Sequence, residues 1–339
     1  MKVDVEDLLL RADAAIEAGN HEEARSIFES VMKFPNVPIW GLSIQLKLTQ
    51  ASGLDASTHQ IVSKIENDPA AQSLSNIITS AEYLAKVGLS RRAARLYQMV
   101  LDWNVSFPGV YRRFSECRFT GGHYLFALDE VHRTIRPEVY LEIGVNRGHS
   151  FRGSVGSDLA VGVDPDLSEL DRAAFQKARL FEISSDAFFE KEASGVFGER
   201  RVNFAFIDGM HRFDFALRDF INTERHMAPD GLIAIHDVIP IHRSGAGENS
   251  NAKHWTGDVW KLADTLKHFR PDLRLRIVPV APTGLLLVSG LDPSGGRFSQ
   301  IGSEVRRFAE ALEFGEGAVW KMTPDIPEIA ISEVLAEIR

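Results

Sequence analysis

Four polar residues stand where two apolar runs end. Phe204-Ala-Phe-Ile207 runs into Asp208-Gly-Met-His211, and Leu232-Ile-Ala-Ile235 runs into His236-Asp237. Two carboxylates with a histidine form a donor set for a divalent cation, and oxygen-rich ligands suit Mg2+. The metal set read here is Asp208, Asp237 and His236. A cation so held would bind and acidify a substrate hydroxyl, and a neighbouring base could then take the proton. His211 is the candidate base, because imidazole titrates near neutral pH, with Asp208 beside it as the second catalytic residue. One at a time, the aspartates read equally well as loop caps and the histidines as partners of backbone groups. Four together at adjacent run ends point to a site. Asp214 and Asp219, a few residues on, read as solvated or helix-start charges.

A second set lies upstream. Val139-Tyr-Leu-Glu-Ile-Gly-Val-Asn-Arg-Gly148 places Glu142, Gly144, Asn146 and Gly148 at the end of a strand and the opening of a helix. Glycines there allow a tight turn and close backbone approach, and a helix N-terminus offers unpaired N–H groups. Such a turn alone is also a plain strand-to-helix connection. Asp164, twenty residues after Gly144, ends the next apolar run, Leu159 to Val163. An acid at that tip is placed to accept hydrogen bonds from both hydroxyls of a ribose, although it could instead cap the following helix. The pair favours a nucleoside site. Ser184-Ser185-Asp186 reads as a helix N-cap.

These residues need a sheet to position them. Short apolar runs at Val139 to Ile143, Leu159 to Val163, Val202 to Ile207, Leu232 to Ile235, Arg274 to Val278 and Leu285 to Val288 alternate with helix-like segments. That alternation predicts an α/β fold with a mostly parallel, Rossmann-like doubly wound sheet. Only Pro279 to Gly284 separates the last two runs, too little for a crossover helix, so they should close the sheet as an antiparallel hairpin. In such a sheet, ligands bind beyond the carboxyl ends of the strands.

The first hundred residues differ, reading as helix throughout. Gly19, Gly53 and Gly88 are 34 and 35 residues apart; Ala24, Thr58 and Ala93 follow five residues on, Phe28, Val62 and Tyr97 nine on, and Val31, Ile65 and Val100 twelve on. Pro35 and Pro69 each follow their glycine by sixteen. The spacing resembles the tetratricopeptide repeat, with an ordinary helical bundle as the alternative. The expected organisation is an N-terminal all-α module over 1–110, an α/β domain over 111–295 and a helical tail over 296–339, interrupted around Pro324 to Pro327. The module's expected role is to dock a protein partner or self-associate.

The α/β part resembles the class I S-adenosylmethionine-dependent methyltransferases. Its first motif, Glu142-Ile-Gly144-Val-Asn-Arg-Gly148, is an acid followed by glycines, and the dinucleotide fingerprint G-x-G-x-x-G is absent. The resemblance implies S-adenosylmethionine as cofactor, with Glu142 and Gly144 near its methionine part, Asp164 at the ribose and Ser185 and Asp186 at the adenine. Asp-Gly-x-His followed by a second acidic strand tip is similar to the macrocin and mycinamicin O-methyltransferases, which implies Asp208 and Asp237 as Mg2+ ligands and His211 as general base. His236 departs from that pattern, standing where a carboxylate commonly precedes the last aspartate. The implied reaction is O-methylation of a sugar, a glycosylated natural product or another small molecule. A catalytically inactive scaffold of the same fold is the alternative, and a nicotinamide-dependent dehydrogenase ranks behind both.

Composition agrees. At 339 residues the chain is about twice a single-domain length of roughly 150. Its 44% hydrophobic and 25% charged residues are those of a globular protein. A net charge of -9 repels a polyanion, so nucleic acid is not the expected partner. No apolar run approaches the ~20 residues that span a bilayer, and the start, MKVDVEDLLL, lacks a signal-peptide core. Cys117 is the only cysteine, which excludes an intrachain disulfide and suits a cytoplasmic protein. Ile241 to Thr256, containing Ser244-Gly-Ala-Gly-Glu-Asn-Ser-Asn251, reads as a lid or acceptor-binding loop, with Trp255 offering a flat face to a sugar or ring. Trp260 reads as core, and Arg112, Arg113 and Arg118 as solvated surface.

Overall fold

The computed structural model describes residues 4–34, 37–52, 55–249, 254–294, 302–315 and 326–338. Pro35, Gly53, Ser250, Asn251 and Pro324, singled out above, lie outside them. Contacts divide the chain into two compact units, Met1–Cys117 and Arg118–Arg339. Among the described residues no helix is long and apolar enough to cross a membrane.

The first unit is helical: α1 (Val5–Glu17), α2 (His21–Val31), α3 (Gly41–Ala51), α4 (Asp55–Asn67), α5 (Leu74–Lys86), α6 (Ser90–Trp103) and α7 (Val110–Arg118). Asp4 caps α1 by accepting from the Glu6 N–H. Gly19 and Gly88 end α1 and α5 with left-handed backbone, at φ 79° and 80°. Consecutive helices pack as pairs, α1 on α2, α3 on α4 and α5 on α6. Positions that recur in the sequence recur in burial. Ala24, Thr58 and Ala93 are fully buried, so are Val31, Ile65 and Val100, and Phe28, Val62 and Tyr97 are buried between them.

The second unit is built on seven strands. It begins with α8 (Tyr124–Ile135) and continues through β1 (Val139–Ile143), β2 (Leu159–Val163), β3 (Arg179–Phe181), α9 (Ser185–Lys191), α10 (Ala193–Phe197), β4 (Val202–Ile207), α11 (Phe213–His226), β5 (Met227–His236), α12 (Lys261–Phe269), β6 (Arg274–Val278), β7 (Leu285–Ser289), α13 (Gly302–Glu310) and α14 (Ile331–Ile338). The sheet order is β3-β2-β1-β4-β5-β7-β6. β1 to β5 run parallel, and β7 enters antiparallel between β5 and β6 as the predicted hairpin. Every residue of β1 and β2 is buried, as expected of parallel strands covered on both faces. α8 and α14 bury Leu128, Val131, Val334 and Leu335 against Tyr140, Phe204 and Phe206, and α11 packs on β4.

Three features differ from expectation. The segment after Gly148 forms a 3-10 helix, Phe151–Gly156, in place of an α-helix. It holds Gly153 and Gly156 among serines, a composition poor in helix propensity, and a Cβ at Gly153 would overlap the His132 ring. β3, three residues long, is too short to carry a periodic signal. Arg118 is largely covered, with an 8% exposed side chain paired to Glu328 at 3.1 Å.

Candidate active site

The strand tips open into one cavity of about 820 Å³, lined by residues from Tyr124 to Trp255. It lies beyond the carboxyl ends of the parallel strands, where the order turns from β1 to β4. Of the residues singled out above, Gly144, Asn146, Asp164, Ser185, Asp186, Asp208, His211, His236, Asp237 and Trp255 line it; Glu142 and Gly148 do not.

The first wall is the glycine turn. Gly144 has φ 89°, and a Cβ there would overlap the carbonyl oxygen of Asp208, so only glycine lets β1 and β4 end this close together. Asn146 is also left-handed, at φ 46°. Its N–H donates to Asp164 Oδ2 at 2.8 Å, while Asp164 Oδ1 accepts from the Asp166 N–H at 2.8 Å. Asp164 therefore shapes the turn and keeps acceptor capacity facing the cavity. Gly148 answers to packing: a Cβ would stand 2.6 Å from Leu170.

Glu142 lies behind this wall, fully buried. Tyr140 donates to its Oε2 at 2.5 Å and Ser150, which does line the cavity, donates to its Oε1 at 2.6 Å. Burial pushes the Glu142 carboxyl up to about 8 despite those bonds.

The second wall carries the acids and histidines. Nδ1 of His211 lies 3.1 Å from the Trp255 carbonyl, which can only accept, so Nδ1 carries a proton. That orients Nε2 at Asp237 Oδ2, 3.0 Å away, and Asp208 Oδ1, 3.4 Å away. Burial lowers the His211 pKa, but the Asp237 and Asp208 carboxylates outweigh it and raise it to about 9. His236 Nδ1 faces Asp208 Oδ1 at 3.3 Å, and its Nε2 faces Thr283 Oγ1 at 3.4 Å. Thr283 spends its proton on Asp237 Oδ1 at 2.6 Å, which leaves its oxygen as an acceptor facing His236 Nε2. Burial opposes the charged form of His236, but Asp208 and Asp237 outweigh it and raise its pKa. Asp208 in turn, though buried, is held below the usual carboxylate range by His236 and His211. Asp237 adopts φ 58°, a left-handed backbone that Thr283 helps fix.

Donor atoms of Asp208, His211 and Asp237 come within 4.8 Å of one another, a carboxylate-rich set suited to a divalent cation. His236 falls outside this set, because its nitrogens are turned to Asp208 and Thr283. Ser185 and Asp186 line the cavity from the start of α9. Ser184 is the N-cap of that helix, and Asp186 pairs with Arg218 at 3.2 Å.

Three contributors carry no motif. The Tyr124 ring lies against His236 with centroids 4.2 Å apart, and its N–H donates to Ala281, in the hairpin loop that also supplies Thr283. Asp219 is 2% exposed and lines the cavity, correcting the solvated reading. Its position one turn after Ala216 and one before Thr223, on the buried stripe of α11, is the signal that could have found it.

The glycine-rich loop is clasped where it is described. Trp255 Nε1 donates to the Gly247 carbonyl, Thr256 to Gly245 and Trp260, a buried residue as expected, to Ala246. Arg212 pairs with Glu248. Gly257 follows at φ 62°, where a Cβ would overlap the His211 carbonyl oxygen.

Residues 141–238 match a methyltransferase domain. The match runs from β1 to just past β5 and so contains Glu142, Asp164, Asp208, His211, His236 and Asp237. Over these residues the chain carries a methyltransferase domain, set on a Rossmann-like sheet. Similar solved structures include the SAH-bound methyltransferase PaMTH1 of Podospora anserina, at 16% identity and TM-score 0.38 over 62% of this chain and 96% of that one. The O-methyltransferase of Bacillus cereus in complex with SAH is 12% identical, TM-score 0.37, over 64% and 99% of the two chains. A methyltransferase of Geobacter sulfurreducens is 17% identical, TM-score 0.36, over 50% and 78%. No curated protein matches the chain.

Proposed function

We propose that the protein is a cytoplasmic O-methyltransferase that moves the methyl group of S-adenosylmethionine to a hydroxyl of a sugar, a glycosylated natural product or another small polyhydroxylated molecule, in the manner of the macrocin and mycinamicin enzymes. The observation that carries this reading is the meeting of Asp208, His211 and Asp237 in the cavity that also holds Asp164 and the glycine turn. The sulfonium is an activated donor, so the protein has to align it with the acceptor and remove a proton. Asp164 accepts from the ribose hydroxyls, Gly144 and Asn146 leave room for the methionine part, and Ser185 and Asp186 flank the adenine. In its neutral form, His211 Nε2 takes the hydroxyl proton as the carbon–sulfur bond breaks and the carbon–oxygen bond forms. The Trp255 carbonyl keeps Nδ1 protonated and Nε2 facing the acceptor. Mg2+ held by Asp208 and Asp237 would acidify that hydroxyl. Its positive charge there would offset the carboxylates that keep His211 protonated and so favour the neutral ring with Nε2 as base.

The domain plan proposed with this reading is a tetratricopeptide-like module over 1–110, used for a protein partner or self-association, a catalytic domain over 111–295 and a helical tail. The first experiment is calorimetric titration with S-adenosylhomocysteine, with and without Mg2+, followed by an acceptor screen. Micromolar binding, and turnover that His211→Ala abolishes while leaving that affinity intact, is the expected result. Full turnover in the His211 variant removes the proposed base, and absence of binding removes the cofactor assignment.

A further inference from the structure

Helix α11 begins without a cap of its own. Arg212 holds the N-cap position and makes no side-chain hydrogen bond to the helix. The first N–H groups of a helix have no partner within it, and a short oxygen-bearing side chain at the N-cap ordinarily supplies one. Here the bond comes from across the site. Asp258, 45 residues beyond Phe213 and 6% exposed, accepts from the Phe213 N–H with Oδ1 at 2.7 Å, and Lys261 Nζ holds its Oδ2 at 3.1 Å. A buried carboxylate with both oxygens engaged acts as a strut between segments.

The two segments that this strut joins are the two that present the proposed base. On one, His211 lies two residues before Phe213. On the other, the Trp255 carbonyl faces His211 Nδ1 at 3.1 Å, and Gly257 stands so close to the His211 carbonyl that no Cβ fits between them. The bond that turns Nε2 toward the cavity therefore spans two segments, and its length depends on their separation. Trp255 alone does not fix that separation, because a bond to a side chain survives movement of the segment through a change of side-chain torsion. Asp258 grips the backbone of α11 itself, and a bond to an ionised carboxylate is roughly twice as strong as a neutral one.

We infer that Asp258 is a positioning residue for the methyl transfer: by capping α11 from the far segment, it keeps His211 and the Trp255 carbonyl in register. This rests on the reading of His211 as the base. Asp258 does not line the cavity, so its loss should spare the cofactor.

The test reads the His211 Nδ1 proton by NMR and the Phe213 amide by hydrogen exchange, and neither needs an acceptor. In the unsubstituted protein the Nδ1–H should give a slowly exchanging resonance, common to the neutral and the charged ring and absent from His211→Gln. The Phe213 amide should exchange slower than that of Asp214, the next in the same turn, by about tenfold or more. Asp258→Ala should lose the Nδ1–H resonance, leave S-adenosylhomocysteine affinity intact by calorimetry, and lower turnover of the acceptor found by the screen by about 100-fold. Asp258→Asn keeps an oxygen for the Phe213 N–H and should restore the resonance and most of the turnover. Lys261→Met removes only the other partner and should behave as the parent does. A Phe213 amide that exchanges as fast as that of Asp214 overturns the inference, even where Asp258→Ala fails to fold. So does a resonance that survives in Asp258→Ala, or one lost equally in Asp258→Asn and Lys261→Met. Loss of the resonance with full turnover removes His211 as base, and the inference falls with that reading.

Discussion

Nε2 of His211 lies 3.0 Å from Oδ2 of Asp237, so the group proposed to take a proton is, in the protein without ligands, itself the protonated half of an ion pair. Burial pulls its pKa down, the carboxylates of Asp237 and Asp208 pull it up, and the carboxylates win, at about 9. The pair holds the base in register and keeps it charged until something takes the carboxylates' negative charge.

The first prediction concerns that titration. In the metal-free protein the His211 ring should titrate near pH 9 by NMR, and Asp237→Asn should lower the midpoint by about one unit or more, because the imidazolium loses its nearest countercharge. Since the folded pKa lies above the unfolded value near 6.5, the pair stabilises the fold fully below that pH and its contribution is lost as pH rises through about 9. A midpoint unmoved by Asp237→Asn would contradict the assignment.

Glu142 gives a second, with no reference to catalysis. Its carboxyl titrates near 8 when buried, against about 4.5 when exposed, so the native state holds its proton more tightly. The contribution is largest below pH 4.5, declines between 4.5 and 8 and is constant above. Glu142→Gln should remove this slope. In denaturant titrations, the variant should gain on the parent by about 4 kcal/mol between pH 5 and pH 8.5. A difference that is flat with pH would show that Glu142 is ionised in the fold.

Asp164 accepts from two backbone N–H groups as well as facing the cavity. Asp164→Ala should weaken S-adenosylhomocysteine binding by about 10- to 100-fold, through lost ribose bonds and a loosened glycine turn together. Calorimetry checks it, and an affinity within about twofold of the parent would place the ribose elsewhere.

Gly257 tests the acceptor side alone. Its left-handed backbone sits against the His211 carbonyl, so Gly257→Ala must push the His211 segment out of place. Turnover should fall by about 100-fold or more, because misplacing a catalytic group by ~1 Å costs that much. S-adenosylhomocysteine affinity should stay within about threefold, and a parallel loss of affinity would mean that the loop supports the whole cavity.

Much of this was legible in the sequence because parallel strands end abruptly. A buried run such as Phe204 to Ile207 gives way at once to Asp208, and the change from apolar to polar marks the strand tip without any alignment. The hairpin was legible for an equally local reason, a six-residue gap that no helix can fill. Tyr124 and Thr283 were not legible. Each enters the site from a distant segment, and backbone hydrogen bonds between residues 121–124 and the hairpin loop hold those segments together. Asp219 was misread by its chemistry: an acid on a helix suggests solvent, although its place on the α11 stripe says interior. Glu142 was assigned to the ligand where it serves the wall, because position along a strand reports the face a side chain takes and not the depth at which it stops.

The strand order has a further consequence for motion. β4 and β5 are hydrogen-bonded on both sides, by β1 and β7 at the outer flanks and by each other between, whereas β3 is a three-residue edge strand with one neighbour. Asp208 and Asp237 therefore hang from the last amides to exchange with solvent, and Ser185 follows one of the first. One rim of the cavity is thus stiff and the other compliant, so a nucleoside settling there should slow exchange chiefly across β3 and α9 and leave the acid-bearing strands nearly as protected as before.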